Sequence, residues 1–262
     1  MVQLTSPATE TQRFALRRRL VSVDAVESRG AGMVRCWFRG DLADFVSPNA
    51  TDHVKLQVPN ASGALVEPVR DPETGNILNR AELGLRDMTP RIVVDGRVAI
   101  DFVRHEGGAI GSWLQRVNVG DPCAFLGPRG SKSIVESLDS FVAVVDLSAL
   151  PAAERRIADL DLPGVLHLVG NGVDAVAVPD AVTVVHHAEV QGWGEVVAAA
   201  TASIPETGRV LVWGAGEAAG VSNLRAAVRE CNRDGLFAQF NGYWQRGVDE
   251  YDHHAELPAP SL

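Results

Sequence analysis

The chain has 262 residues, 46% of them apolar and 22% charged, and a formal net charge of −9 at pH 7. That composition fits one large or two ordinary globular domains. The acidity argues against nucleic acid as the main partner, because phosphate binding needs a basic face. No run approaches the ~18 apolar residues of a membrane span, and the N-terminus has no apolar signal core. Three widely spaced cysteines, Cys36, Cys123 and Cys231, argue against a disulfide framework or a zinc knuckle. They point to a reducing compartment, here the cytoplasm.

In chain order, the first half reads as short strands. "RFALRRRLVSV" and "GMVRCWFRG" alternate in polarity. The run Arg17-Arg18-Arg19 is expected to be a solvated strand end. "DHVKLQVP" sets Val54, Leu56 and Val58 against His53, Lys55 and Gln57. "RVAIDFVRH" sets Val98, Ile100 and Phe102 against Ala99, Asp101 and Val103. Period-two alternation between turn residues is the signal of half-buried strands. Asp95-Gly96 is a two-residue hairpin turn. A helix over Ile110 to Val117 interrupts, and "VGDPCAFLGPRGS" returns to strand. Together these predict an antiparallel barrel.

The second half changes character. "SFVAVV", "GVLHLVG", "AVTVVHH" and "GRVLVWGAG" are short, Val-rich runs without alternation, separated by helices over Ala152–Leu160, Gly194–Ala202 and Glu217–Arg233. Buried strands alternating with helices predict a parallel sheet in an α/β domain. The domains are expected at 10–135 (barrel) and 136–250 (α/β), with a tail over 251–262 that is mobile past Tyr251. His186 and His187 are expected to be structural, and His253 and His254 solvated. An N-terminal antiparallel barrel followed by a smaller parallel-sheet α/β domain is the order of ferredoxin-NADP reductase-like flavoproteins; by itself this is a fold analogy.

Several motifs sharpen the analogy. "RDMTPR" from Arg86 to Arg91 precedes the hairpin, "DFVRHEGGAIGSW" follows it, and "GPRGS", "VWGAGE" and "GYWQRG" come later in order. In that combination the chain resembles the siderophore-interacting proteins, FAD-dependent ferric-siderophore reductases, from about Phe14 to about Gly247. The family's R-x-Y-T-x-R motif matches except that Met88 replaces the tyrosine.

The resemblance implies FAD as cofactor. Arg86 offers a fork for pyrophosphate oxygens, and Thr89 a hydroxyl for a flavin ring nitrogen. Met88 would lie on the ring as the tyrosine does, and Thr89 and Met88 would stand at the reacting centre. Arg91 completes the motif. Asp101, Val103 and His105 would form the edge strand beside the flavin. Gly108, Ile110, Gly111 and Ser112 open a helix toward the phosphates, and Trp244 contributes from "GYWQRG". Lys55, Arg129 and Arg246 would form a cationic rim for an anionic ferric siderophore. The reading without a ligand is that Arg86 and Arg91 are strand-end charges paired with Asp87 and Asp95.

The electron donor, NADPH, NADH or ferredoxin, is expected near Asp146, Ser148, Gly214, Gly216 and Glu217. The family reads A-G-D-E-T-A-L-P where this chain has Val144 to Pro151, so Val145 replaces a glycine and Leu147 an acid. One alternative is therefore a flavin- or siderophore-binding relative without NAD(P)H-dependent activity. Another is a different NAD(P)H-dependent flavin oxidoreductase. Gly214, Gly216 and Gly220, taken at face value, resemble a dinucleotide loop, but they follow what reads as the last strand and have the wrong spacing. No metal site is expected.

Overall fold

The computed structural model describes residues 4–188, 193–231, 233–248, 251–252 and 254–261. The chain forms two compact units. One is Thr11–Lys132, and the other is Ser133–Leu262 together with Met1–Glu10. Where the chain passes between them, β1 (Thr9–Arg13) pairs with β9 (Gly130–Ile134).

The first unit is a seven-stranded sheet of β2 (Arg18–Ser28), β3 (Met33–Gly40), β4 (Val54–Gln57), β5 (Arg86–Met88), β6 (Pro90–Val94), β7 (Arg97–Val103) and β8 (Pro122–Leu126). Its order is β5-β4-β8-β2-β3-β7-β6, and every pairing is antiparallel. The outermost strands, β5 and β6, are consecutive in the chain, with Thr89 alone between them. The sheet therefore curls into a nearly closed barrel whose seam is at Thr89. Its core includes Phe38, Leu56, Ile100, Trp113 and Phe125, with Phe38 edge-on to Phe125 at 5.1 Å between ring centres. The Asp95-Gly96 turn joins β6 to β7, both residues at positive φ (50° and 68°) as a type I′ hairpin requires.

Three expectations for this unit change. β7 is buried on both faces from Val98 to Phe102. It lies between β3 and β6, and its outward carboxylate, Asp101, is covered by arginines. The Arg17–Arg19 run is solvated only at Arg17; Arg18 is half-buried and Arg19 buried. Arg17 pairs with Asp41 and Asp44, Arg18 with Glu67, and Arg19 is buried against Asp44 and the Phe45 ring. The helix α1 (Gly108–Leu114) starts two residues before the expected position and ends three before it.

The second unit is a five-stranded parallel sheet of order β12-β11-β10-β13-β14. Its strands are β10 (Ser140–Asp146), β11 (Gly164–Val169), β12 (Val182–His187), β13 (Val210–Glu217) and β14 (Leu236–Trp244). Helices α3 (Gly194–Ala202) and α4 (Ala218–Glu230) pack Val196, Val197, Val221 and Leu224 onto Val142, Val144, Val210 and Val212. Helix α2 (Leu150–Leu160) lies on the other face, where Arg156 stacks over the Trp213 ring at 4.4 Å. Covering both faces explains the unalternated apolar runs. The pattern does not announce β14, whose Gln239 and Asn241 break its apolar run; β13 is therefore not the last strand.

The tail also departs from expectation. Leu257 packs against the α3–α4 core, Ser222 Oγ donates to the Pro258 carbonyl, and Ser261 N donates to Asn223 Oδ1 at 2.7 Å. The described part of the tail is docked along α4, because it supplies partners to two polar side chains that are otherwise buried. His253 lies outside the described residues, and His254 is exposed.

Candidate functional site

At the barrel seam, local pairing decides which way each motif residue points. Arg86 stands opposite Leu56 and Met88 opposite Val54, so both share the face of those core residues. Met88 packs, half-buried, against the barrel core. The Arg86 guanidinium donates to the Leu85 carbonyl at 2.9 Å. Thr89 is half-buried at the seam, and its hydroxyl makes no hydrogen bond among the described residues. Arg91 is the extra residue of a β-bulge, since the register jumps between Pro90 and Ile92; such bulges re-aim a side chain.

β6 pairs with β7 only as far as Pro90 and Ile100. Beyond it, Asp101, Phe102 and Val103 pair with β3 alone. The open edge expected over Asp101–His105 is thus confined to Asp101–Val103, immediately beside Thr89's neighbour Pro90. His105 lies past the strand and turns Nδ1 toward the Val103 carbonyl at 3.2 Å. The Asp101 side chain is not free for a ligand. It is wholly buried and bound by Arg29 at 2.5 Å and Arg35 at 2.6 and 2.9 Å. Its role is to fix β7 against β3, and only its backbone faces the open edge. The sequence reading missed both arginines. Arg35 sits directly opposite Asp101, a pairing visible only once the β3–β7 register is known.

Helix α1 adjoins this seam. Gly84, just before Arg86, would place a Cβ 3.4 Å from the Ala109 Cβ. Gly107 caps α1 without a side-chain hydrogen bond, and Gly108 has φ of +64° with open space around a Cβ. Gly111 serves packing instead, for a Cβ there would meet the His105 carbonyl at 2.6 Å. Ile110 is a core side chain, so its backbone alone is available, and Ser112 is exposed.

The expected cationic rim is divided. Lys55 lies on the opposite face of β4 from Leu56 and is bound by Asp87 at 2.7 and 2.8 Å. Asp87 thus pairs with Lys55. Arg129 follows β8 and is exposed. Arg246 belongs to the second unit, where its guanidinium lies 5.8 Å from the Trp244 ring centre.

In the second unit, the expected donor-site residues meet at the C-terminal ends of β10 and β13, where the strand order reverses. Open α/β sheets bind ligands at this switch point. Asp146 ends β10 and accepts four hydrogen bonds: from Ser148 N (2.9 Å), Ser148 Oγ (2.5 Å), Glu217 N (2.8 Å) and Trp244 Nε1 (2.8 Å). Burial pushes its carboxyl above the usual range, and these donors work in the opposite direction. Trp244 thereby spends its indole N–H inside the α/β unit. Glu217 caps α4, its Oε2 accepting Gly220 N at 2.9 Å.

The glycines that resemble a dinucleotide loop are each required by the protein's own packing. A Cβ on Gly216 would overlap the Asp146 carboxylate, and one on Gly220 the Trp193 ring. On Gly214 it would meet Leu224 at 2.7 Å. Val145, in place of the expected glycine, is fully buried between Leu168 and Ala215.

Comparison with known proteins agrees with both units. Residues 22–132 match the family described as siderophore-interacting FAD-binding domain, and residues 138–247 match siderophore-interacting protein. The NADPH-dependent ferric-chelate reductase of Escherichia coli K12 is 33% identical over 150 residues, 56% of this chain and 59% of that protein. The ferric vibriobactin reductase of Vibrio cholerae is 33% identical over 116 residues, 43% of this chain and 42% of its own. The match therefore spans less than two thirds of these curated relatives. The crystal structure of a siderophore utilization protein from T. fusca superposes with a TM-score of 0.80 at 31% identity, over 95% of this chain and 100% of that one. A siderophore-interacting protein from Aeromonas hydrophila shares the fold, with a TM-score of 0.71 at 24% identity over 90% and 94% of the two chains. With the two domain matches in order along one chain and a full-length structural relative, the chain belongs to the siderophore-interacting protein family.

Proposed function

We propose that this chain is an FAD-dependent reductase that converts the iron of a ferric siderophore to the ferrous state for release inside the cell. The observation that carries the reading is the barrel seam. A threonine hydroxyl without a hydrogen bond among the described residues, the Arg86 fork, an open strand edge and a glycine-opened turn converge there, within the part of the chain that matches an FAD-binding domain. A flat, mostly apolar ring with polar edges needs such donors once buried. The residues present fit FAD. Thr89 and the Asp101–Val103 backbone would meet the ring edge, Arg86 and Arg91 the phosphates, and Gly108 would let backbone approach them. Met88 would border the ring with a thioether.

When bound, FAD supplies the link between a two-electron donor and one-electron reduction of ferric iron. This chain's residues orient that exchange and hold the chelate. On the barrel unit, Lys55 and Arg129 are the cations assigned to the chelate; Arg246, on the α/β unit, is the third candidate cation. Hard oxygen ligands hold ferrous iron less well than ferric, so reduction frees the metal. The α/β switch point around Asp146, Ser148, Gly214, Gly216 and Glu217 is assigned to the donor. The name of the Escherichia coli relative favours NADPH, with NADH and ferredoxin as the other candidates. The three free cysteines fit a cytoplasmic setting. Among the described residues no helix is long and apolar enough to cross a membrane.

A second reading has one observation behind it. Val145, buried and β-branched, stands where the family has a glycine, and this favours a flavin-binding relative that takes no nicotinamide. One experiment separates the two. The pure protein should show flavin absorbance or take up added FAD. Without air, NADPH, NADH or reduced ferredoxin should bleach it, and a ferrous trap should then colour when a ferric siderophore is added. Bleaching by none of the three would leave the binding-only relative, and failure to take up FAD would end both readings.

A further inference from the structure

The charge at Lys55 is not what its sequence context promises. β4 runs between β5 and β8, so that Lys55 stands directly opposite Asp87 on one side and Leu126 on the other. Residues opposite each other in antiparallel strands share a face at close range. The backbone register thus delivers Asp87 to Lys55, and the ammonium meets both carboxylate oxygens at 2.8 and 2.7 Å. The two side chains are 30% and 26% exposed, so the pair faces solvent. The His53 ring lies 3.9 Å from the same carboxylate. The next cation along the row is also engaged. Arg18, the other neighbour of Leu126, is bound by Glu67 at 3.0 Å and by Gln57.

We infer that Asp87 masks Lys55, and that this face selects neutral ferric chelates of the trihydroxamate class over triply negative triscatecholates. The inference rests on the chelate-reductase reading above and names the substrate class of that site. Iron(III) held by three singly charged hydroxamates carries no net charge, whereas three doubly charged catecholates leave it triply negative. An unpaired lysine would draw in the second kind. A lysine already closed on a carboxylate presents a dipole, and an approaching polyanion meets the carboxylate too. To use Lys55 it must displace Asp87, losing the existing pair and bringing like charges together. A neutral chelate incurs neither cost. Specificity by a built-in repulsive element is a general device.

The test reads binding rather than turnover. Full-length protein with excess FAD is titrated with two redox-silent gallium(III) chelates, neutral gallium ferrichrome and triply negative gallium enterobactin, following tryptophan fluorescence. The wild type should bind the neutral chelate more tightly. Asp87→Asn should tighten the anionic chelate roughly fivefold or more and leave the neutral one within about twofold. That gain should vanish in the double variant Lys55→Met with Asp87→Asn, because no lysine remains to unmask. Equal effects on both chelates, or a gain that persists undiminished in the double variant, would overturn the masking while leaving chelate binding in place. No binding of either chelate by wild type or Asp87→Asn would remove the chelate site itself, and the masking with it.

Discussion

Thr89 is the residue on which the barrel site turns. It is the single link between the two outer strands, so its position is set by closure of the whole sheet rather than by its own packing. Its hydroxyl has no partner among the described residues, so replacing it disturbs no internal hydrogen bond. Thr89→Val, which keeps the shape, is predicted to weaken FAD binding about tenfold, the worth of one hydrogen bond, with an unchanged circular dichroism spectrum. Titration by flavin fluorescence reads this directly, and an unaltered dissociation constant would take Thr89 out of the site. At this scale the motif residues were legible because their spacing is local. Their true partners were not. Asp101 looked like a ligand group and is held by Arg29 and Arg35, while Lys55 looked like a free cation and is held by Asp87. Each of those pairs joins residues more than thirty positions apart, and nothing in the sequence states a register. The glycines misled in the same way. Gly111 and Gly216 resemble ligand-approach positions, yet a side chain on either would collide with the protein's own carbonyl or carboxylate.

At the scale of elements, most strands and the four α-helices among the described residues could be read from period and punctuation. The short polar strands β1 and β9 could not, and neither could β14, because its polar positions interrupt the run that marks the other buried strands. Strand pairing also created a buried polar chain that joins β11, β12 and α3. Ser203 Oγ donates to the Ala199 carbonyl at 2.9 Å, so it accepts from His167 Nε2–H at 3.0 Å. His167 Nδ1 is then bare and accepts from His187 Nε2–H at 2.9 Å. His167 is almost fully buried, and burial, followed by the neighbouring His187, pushes its pKa from 6.5 down to about 4. The folded state therefore binds fewer protons than the unfolded chain between those values. The stability contributed is complete above pH 6.5 and is lost as pH falls from 6.5 toward about 4, on the order of 2 kcal/mol. Urea unfolding across that range should show the decline. His167→Gln, which keeps a donor toward Ser203 but does not titrate, should flatten most of it at some cost in stability at pH 7.5. An undiminished slope in the variant would assign the acid sensitivity elsewhere.

The two units differ in how their parts are secured, and the chain ends matter to only one of them. The barrel unit begins at Thr11 and is nearly closed by its own strands. The α/β unit recruits both termini. Thr5 bridges to Phe237 in β14, Ala238 N donates to the Thr5 carbonyl at 2.8 Å, and the tail runs along α4. No periodicity marks "ELPAPSL" as structural, which is why composition alone reads it as loose; its contribution comes from one apolar anchor and main-chain groups. Leu257 and the Tyr251 hydroxyl both close over Gly242, at 3.1 and 2.7 Å from where its Cβ would be. Ser222 and Asn223, nearly or wholly inaccessible, take their partners from Pro258 and Ser261. A chain ending at Val248 should thus lose the burial of a leucine and part of a tyrosine, about 2–3 kcal/mol, and lose it locally. Hydrogen exchange followed by mass spectrometry should show peptides of α4 and β14 exchanging faster in the truncated chain. Peptides of β2 and β3 should keep their protection, because among the described residues the barrel core includes none from the tail. If α4 exchanged at the same rate with and without the tail, the docking would carry no stability, and the tail would be an appendage as its composition implies.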